Sequence, residues 1–327
     1  MNKIIITGGN GFIGSHLVNK LLSEIGRSII LISNTQNAND IKLKEKKSQE
    51  NLQLTFYNVD IRDSKSISEI FRNENADTCI HLAAKVSVAD SIRNPSETME
   101  INVQGTLNVL EACYTSEVRN FIFASSAAVY GDVKELPIKE ASALNPLSPY
   151  GSSKMLAEQH ALSYKESKKL QKAIMLRIFN VYGEGQHSEI DVVSKFASRL
   201  SRGLPPIIYG NGAQTRDFVS LDDVVNAIIL SIETMQKDYH NEELIHSSVF
   251  NIGTGKPTSI NEIAQKMISI LGLELEPEHV EETEENKGIM NSYADITKAK
   301  KLINFVAKKG IDEGLRDVLQ PLSRKET

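Results

Sequence analysis

Short apolar runs recur along the first half of the chain and alternate with stretches of a different period. "KIIIT" (3–7), "IILIS" (29–33), "LQLTFYNV" (52–59), "DTCIHLA" (77–83) and "NFIFASS" (120–126) are rich in β-branched and aromatic residues. Runs apolar on both faces fit strands buried from both sides, as in a parallel sheet. Between them, "FIGSHLVNKLLSE", "SKSISEIFRN" and "ETMEINVQGTLNVLEAC" space their apolar residues by three and four, the helical period. Strand and helix in alternation predict an α/β fold wound on both sides of a parallel sheet. "AIMLRIFNVYG" (173–183) supplies a sixth strand.

Past Gly183 the pattern loosens. "GNGAQTRDFVSLDDVVNAIILSIE" carries glycine-rich turn material into a strand and a helix, and "VFNIGTG" (249–255) reads as a strand ending in a turn. "SINEIAQKMISILG" is helical, with a Ser cap and Glu262 three residues later. "DITKAKKLI" is helical too. The expected division is a sheet domain over 1–180, with returning segments at about 217–253. A smaller C-terminal α/β substrate domain takes 181–216 and 254–327. The charged run 40–51 is expected as a solvated loop.

Composition narrows the function classes. The chain has 327 residues, 40% hydrophobic and 24% charged, enough to bury a substantial core. A net charge of −5 argues against nonspecific nucleic-acid binding, which draws on clustered Lys and Arg. No apolar run approaches the length of a membrane span. The first residues read directly as strand and turn rather than as a signal peptide. Cys79 and Cys113 lack metal-site or disulfide spacing and read as small buried apolar residues. That pattern suits a reducing cytoplasm, the expected location, with no metal.

The candidate chemistry begins after the first strand. In "ITGGNGFIGSHL", Gly8, Gly11 and Gly14 frame a turn that opens a helix at Phe12 and Ile13. Glycine lets backbone amides approach a pyrophosphate at the positive helix end, so the pattern predicts a dinucleotide-binding Rossmann sheet. The second strand should end in an acid for the ribose hydroxyls of NAD, yet it ends "LISNTQ" with Ser33 and Asn34. No acid repels the 2′-phosphate of NADP there and no arginine attracts it, so both cofactors stay open, tilted to NAD by the reaction argued below. Asp60 and Ile61, in "VDIRD", stand where they can flank an adenine or simply make a strand-end turn.

"SPYGSSKMLAE" puts a phenol at Tyr150 and an ammonium at Lys154, one helical turn apart. A cation near the phenol favours phenolate and lowers a pKa that starts at ~10. Such a tyrosine can exchange a proton with a substrate hydroxyl near neutral pH. Alone, the pair is a weak signal, more simply read as a packed tyrosine and a surface lysine.

With the glycine turn, "DIRD", "HLAA", "ASSAAVYG" and "PYGSSK" in this order, the chain resembles an extended short-chain dehydrogenase/reductase. More narrowly, it resembles the UDP-glucose 4-epimerase group of nucleotide-sugar enzymes. "LRIFNVYGEGQ", "TRDFVSLDDV", "FNIGTG" and "SYADITKAKK" extend the likeness over nearly the whole chain. The resemblance implies that Tyr150 is the catalytic base, Lys154 its pKa-lowering partner and nicotinamide-ribose ligand, and Ser126 a hydrogen-bond partner of the reacting hydroxyl. It implies that Leu82, Ala83 and Ala84 line the cofactor, that Ser87 touches the sugar, and that Asn102 sits behind the site. His81 is expected to pack in its strand. Phe179 and Asn180 fall at the nicotinamide and substrate-diphosphate edge, and Arg216 clamps the nucleotide diphosphate. The family also implies a homodimer through the Tyr-x-x-x-Lys helix and the one before it, to which Met99, Leu107, Leu110 and Met155 contribute.

In this family, dehydratases and decarboxylases carry acids just after the Ser or Thr, because elimination needs extra proton carriers. Here stand Ala127 and Ala128, which move no protons. The resemblance therefore implies reversible redox at one carbon. A UDP-hexose is oxidised at C4 to a 4-keto sugar with bound NAD, turns over, and is reduced on its other face. A nucleotide-sugar reductase or dehydrogenase using free NAD(P)(H) is the alternative, and a non-catalytic NAD(P)-sensing protein is a third. Ser292, before "YAD", falls where glucose-restricted relatives carry tyrosine; either it leaves room for an N-acetyl group or it is only a helix cap. An arginine expected to grip the second phosphate is missing from "EENKGIMNSYAD", where Lys287 stands.

Overall fold

Three consecutive isoleucines set the centre of the sheet. Ile4, Ile5 and Ile6 are all fully buried, and because successive side chains point to opposite faces, both faces of their strand must be covered. The structure, a computed structural model, describes residues 3–24, 28–34, 54–185, 190–237, 248–282 and 288–323. The charged run at 40–51 and Lys287 lie outside the described residues.

The chain divides into two units, each assembled from three segments: 1–129, 144–177 and 227–250, and then 130–143, 178–226 and 251–327. The first unit holds β1 (Lys3–Thr7), β2 (Ser28–Ser33), β3 (Leu54–Asn58), β4 (Thr78–His81) and β5 (Asn120–Ser126). With β6 (Lys172–Ile178) and, later in the chain, the strand Val249–Ile252, they form a seven-stranded parallel sheet. The Val249 strand lies at one edge beside β6, followed by β5, β4, β1, β2 and β3. The order therefore reverses between β4 and β1, the place where open α/β sheets take ligands at their carboxyl ends. The helices are α1 (Phe12–Glu24), α2 (Ser64–Glu74), α3 (Val88–Arg93), α4 (Pro95–Met99), α5 (Gly105–Thr115) and α6 (Pro149–Glu166). A π-helical turn, Glu100–Gln104, joins α4 to α5. One side of the sheet packs Ile5, Ile30, Phe121, Phe123 and Met175 against Phe71, Val109, Leu110 and Ala157 from the helices. Leu110 is thus a core residue and has no surface to offer a dimer, whereas Met99, Leu107 and Met155 are half-buried.

The second unit has its own core, in which Tyr182, Phe196, Ile208, Phe218, Ile263, Met267 and Leu315 meet. Its elements are β7 (Asn180–Tyr182), α7 (Val192–Leu200), β8 (Ile207–Tyr209), β9 (Thr215–Arg216), β10 (Phe218–Ser220) and the start of α8 (Leu221–Gln236). Beyond β11 (Val249–Ile252) follow β12 (Thr258–Ser259), α9 (Ile260–Leu271), β13 (Glu278–Val280), β14 (Asn291–Ser292), α10 (Thr297–Ile303) and α11 (Ile311–Ser323). Ser259 caps α9 by accepting from the Glu262 amide, as the sequence leads one to expect.

Three features depart from the sequence reading. "AIMLRIFNVYG" is two strands: β6 stops at Ile178, and Asn180 donates its amide to Asp217 so that β7 pairs with β10. Residues 130–143 belong to the second unit rather than the first. Ile138 bonds the backbones of Tyr293 and Asp295, and Tyr130 Oη donates to Asn251 at 2.6 Å. The pairing of β10 with β7 likewise draws 217–226 into the second unit. No helix among the described residues is long and apolar enough to cross a membrane.

Candidate active site

The glycine turn joins β1 to α1 at the reversal point. Gly8 has φ +72°, and a Cβ there would come within 2.6 Å of the Ala83 amide nitrogen, so only glycine lets the end of β1 lie against the loop after β4. Gly14 is constrained from the other side, since its Cβ would meet Gly8 O at 2.3 Å. At exposed Gly11 a Cβ would meet only Gly8 O, at 3.2 Å, leaving that side of the turn open. The amides of Phe12, Ile13 and Gly14 open α1 without intrahelical acceptors. Open backbone and unpaired amides at a helix N-terminus make a cradle for a pyrophosphate. Leu82, Ala83 and Ala84 follow β4 beside it, the Leu82 amide bonded to Thr7 O.

At the neighbouring strand ends, Ser33 is buried and its carbonyl accepts from Val59, while Asn34 is exposed and donates to Asp60 at 3.2 Å. Arg62 grips Asp60 through Nε at 3.1 Å and Nη2 at 2.8 Å, which holds that carboxyl down at about 2. Ile61 turns its side chain into the core, and Asn108 fixes its carbonyl, so only its amide is left to face a ligand.

The candidate reacting groups lie at the end of β5 and in the first turns of α6. Ser148 caps α6 by accepting from Gly151, and Pro149 fits the first turn, where its missing N–H costs nothing. Tyr150 lies in that turn, where the Ser126 hydroxyl acts on its phenol. Burial pushes the phenol above its ordinary range, and the Ser126 contact opposes that. Desolvation dominates, and the lowering expected from Lys154 is not among the influences on this phenol. Lys154 is itself buried, 4.5 Å above the Phe123 ring, and burial brings its ammonium down to about 7 against the pull of Glu158.

Asn102 occupies the π turn behind this set. Its Oδ1 accepts from the Lys85 amide at 2.7 Å, while Nδ2 donates to Lys85 O and to Ser153 Oγ, both at 2.9 Å. Ser153 in turn donates to Tyr150 O at 2.8 Å, so Asn102 steadies the first turn of α6 without touching the phenol. His81 is packed as expected, between Thr7 at 2.6 Å and Thr106 at 2.9 Å, and burial holds it neutral with a pKa of about 3. Ser87 is occupied in a different way: it caps α3 by accepting from the Asp90 amide at 3.1 Å.

In the second unit, Arg216 and Ser292 are partners in the parallel pairing of β9 with β14. Arg216 Nη1 donates to Thr215 O at 2.7 Å, and among the described residues no carboxylate pairs with it. Asp217 points the other way and accepts from the amides of Thr254, Gly255 and Ala294, at 2.7, 2.9 and 3.1 Å. Its neighbour in sequence therefore leaves Arg216 available for an anion. Ser292 lies in a strand rather than capping α10, whose first turn is bonded by Asp295. Phe179 is buried beside Tyr130, and exposed Asn180 donates to Asp217 O at 3.2 Å. Sequence reading missed Asp217, whose only signal was its place beside Arg216, and Glu158, four residues beyond Lys154.

A glycine turn at the reversal point of a parallel sheet, with Ser126 acting on Tyr150 and Lys154 one helical turn further on, is the pattern of an extended short-chain dehydrogenase/reductase. The chain matches the family described as GDP-mannose 4,6 dehydratase over residues 5–318 and belongs to it, among the nucleotide-sugar epimerases of that class. It is 37% identical to a putative UDP-glucose 4-epimerase of Methanocaldococcus jannaschii over 97% of both chains. It superposes on a UDP-glucose 4-epimerase of Thermotoga maritima solved with UDP-glucose (TM-score 0.86, 33% identity, 99% and 100% of the two chains). A UDP-N-acetylglucosamine 4-epimerase of Methanobrevibacter ruminantium is similarly close (TM-score 0.85, 30% identity, 100% and 99%). Several solved epimerases of this fold hold NAD, and the open turn at Gly11 with the free amides of α1 fits that group here.

Proposed function

We propose that the protein is a UDP-hexose 4-epimerase, interconverting UDP-glucose and UDP-galactose and admitting their N-acetylated counterparts. The observation that carries the reading is the influence of Ser126 on the Tyr150 phenol, with Ala127 and Ala128 directly following Ser126. That arrangement moves one proton and has no second acid or base for elimination. Tyr150 Oη receives the 4-hydroxyl proton and later returns it, and Ser126 orients the oxygen that loses and regains it. Protonated Lys154 favours the phenolate. NAD supplies hydride acceptance from C4 and hydride return.

Inversion requires the sugar to turn while its diphosphate stays put. Arg216 suits that grip: a planar guanidinium matches phosphate oxygens, and an arriving anion relieves the burial that pushes its pKa down. Ser292, on the strand paired with that of Arg216, supports a pocket with room for a 2-acetamido group. A homodimer through α5 and α6 belongs to the same reading, with Met99, Leu107 and Met155 as contributors; a monomeric mass in solution would reject it.

Purified protein given UDP-glucose, or UDP-N-acetylglucosamine, without added cofactor is expected to form the 4-epimer. A strict demand for stoichiometric NAD(H) or NADP(H) turnover would make it a nucleotide-sugar reductase or dehydrogenase instead. Cellular function unchanged in a Tyr150→Phe variant would point to a non-catalytic sensor.

A further inference from the structure

Glu158 stands one turn beyond Lys154 on α6 and shares its helix face. It is 1% exposed, where a carboxylate persists only if it is paired and hydrogen-bonded. Both conditions are met. Arg177 Nη2 lies 2.5 Å from Oε1, its Nε lies 3.1 Å from both oxygens, and Ser125 Oγ donates to Oε2 at 2.5 Å. Arg177 comes from β6, and Ser125 precedes Ser126 on β5, so the carboxylate is tied to the strand that delivers a reacting group.

Lys154 supports the phenolate only while it is an ammonium, and burial works to remove its proton. The groups around it are few. Tyr150 lies one turn before it, the Phe123 ring lies beneath its Nζ, and His81 on β4 is neutral between its two threonines. Glu158 is the anion acting on it among the described residues. Arg177, in turn, compensates the buried Glu158 carboxylate with a paired, hydrogen-bonded cation.

We propose that Glu158, clamped by Arg177 and Ser125, is a positioning residue that keeps Lys154 charged and so sets the alkaline limit of the pH range in which Tyr150 is activated. The inference rests on the epimerase reading and adds to it a determinant that touches neither substrate nor cofactor.

Glu158→Gln keeps the shape and an acceptor for Ser125 while removing the charge. Two quantities are read in wild type and variant: kcat against pH, and the alkaline phenolate absorbance of Tyr150, isolated by subtracting Tyr150→Phe. The alkaline limb is expected to move down by about 1 to 3 pH units, the usual effect of removing a near opposite charge. The Tyr150 titration is expected to move up. A uniform fall in kcat with both profiles unmoved would make Glu158 merely structural and overturn the proposal. Should the single variant not fold, Glu158→Gln with Arg177→Met removes both charges, a change buried pairs often tolerate. It should shift both profiles in the same directions by less, and unmoved profiles would again overturn the proposal. If wild type forms no epimer, the epimerase reading fails, while the absorbance titration still decides the role of Glu158.

Discussion

Replacing Lys154 by methionine removes a buried cation and nearly preserves the length of the side chain. Burial takes the ammonium from 10.5 in the open chain to about 7 in the folded one. Between those values the unfolded state binds more protons, so this group makes stability rise with pH across that window. Below about 7 both states are protonated and the cost is complete; above about 10.5 both are neutral and it is gone. The displacement sets a ceiling on the order of 5 kcal/mol. The variant also forfeits the contact with the Phe123 ring, ~2 kcal/mol for a desolvated cation–π pair, which leaves a net stabilisation of ~2–3 kcal/mol on the acid side. Urea unfolding of nucleotide-free protein at a series of pH values reads this directly. Wild type should gain up to ~1.4 kcal/mol per pH unit above neutrality, the variant should be flatter, and the two curves should converge toward high pH. Parallel curves would refute the claim that the folded interior strips this lysine of its proton.

Tyr150→Phe should lower epimerisation by about 10²- to 10⁴-fold with the unfolding midpoint little changed, measured by product assay and denaturant melt. Gly8→Ala combines a left-handed backbone with a 2.6 Å clash on Ala83, so it should cost ~2 kcal/mol or more and yield purified protein without nucleotide. Asp217→Ala orphans the amides of Thr254, Gly255 and Ala294 and should destabilise by ~3–5 kcal/mol in urea. Ser292→Tyr should leave turnover of UDP-glucose intact while raising KM for UDP-N-acetylglucosamine at least ~10-fold; equal kinetics on both sugars would dismiss Ser292 as a gate.

The parts of this protein written in local pattern were legible. Strands such as "KIIIT" declare themselves because both faces are apolar, and the glycine turn because its spacing falls between a strand and a helix, although the approach of Ala83 to Gly8 is not in that local pattern. The Ser259 cap was equally readable. What escaped depends on partners far along the chain. Nothing local in 130–143 says that Ile138 will pair with Tyr293 and Asp295. Nor does "RIFNV" announce a break at Phe179, which arises because Asn180 bonds Asp217. In the site, the residue types at Ser126, Tyr150 and Lys154 were plain, but their ionisation was not. A four-residue spacing suggests a cation near a phenol, whereas only the packed interior reveals that burial governs the phenol. The cap at Ser87 was hidden for a related reason, since a hydroxyl beside a site and a helix cap look alike until the helix is seen to start there.

The interleaving of the two units bears on how the molecule can be made. The polypeptide passes from one to the other five times, and the last strand of the large sheet arrives only with Val249. A ribosome must therefore release three quarters of the polypeptide before that edge is closed, while residues 130–143 await companions synthesised far later. No single cut separates two self-sufficient pieces, so gene fusions and truncations are best confined to the ends.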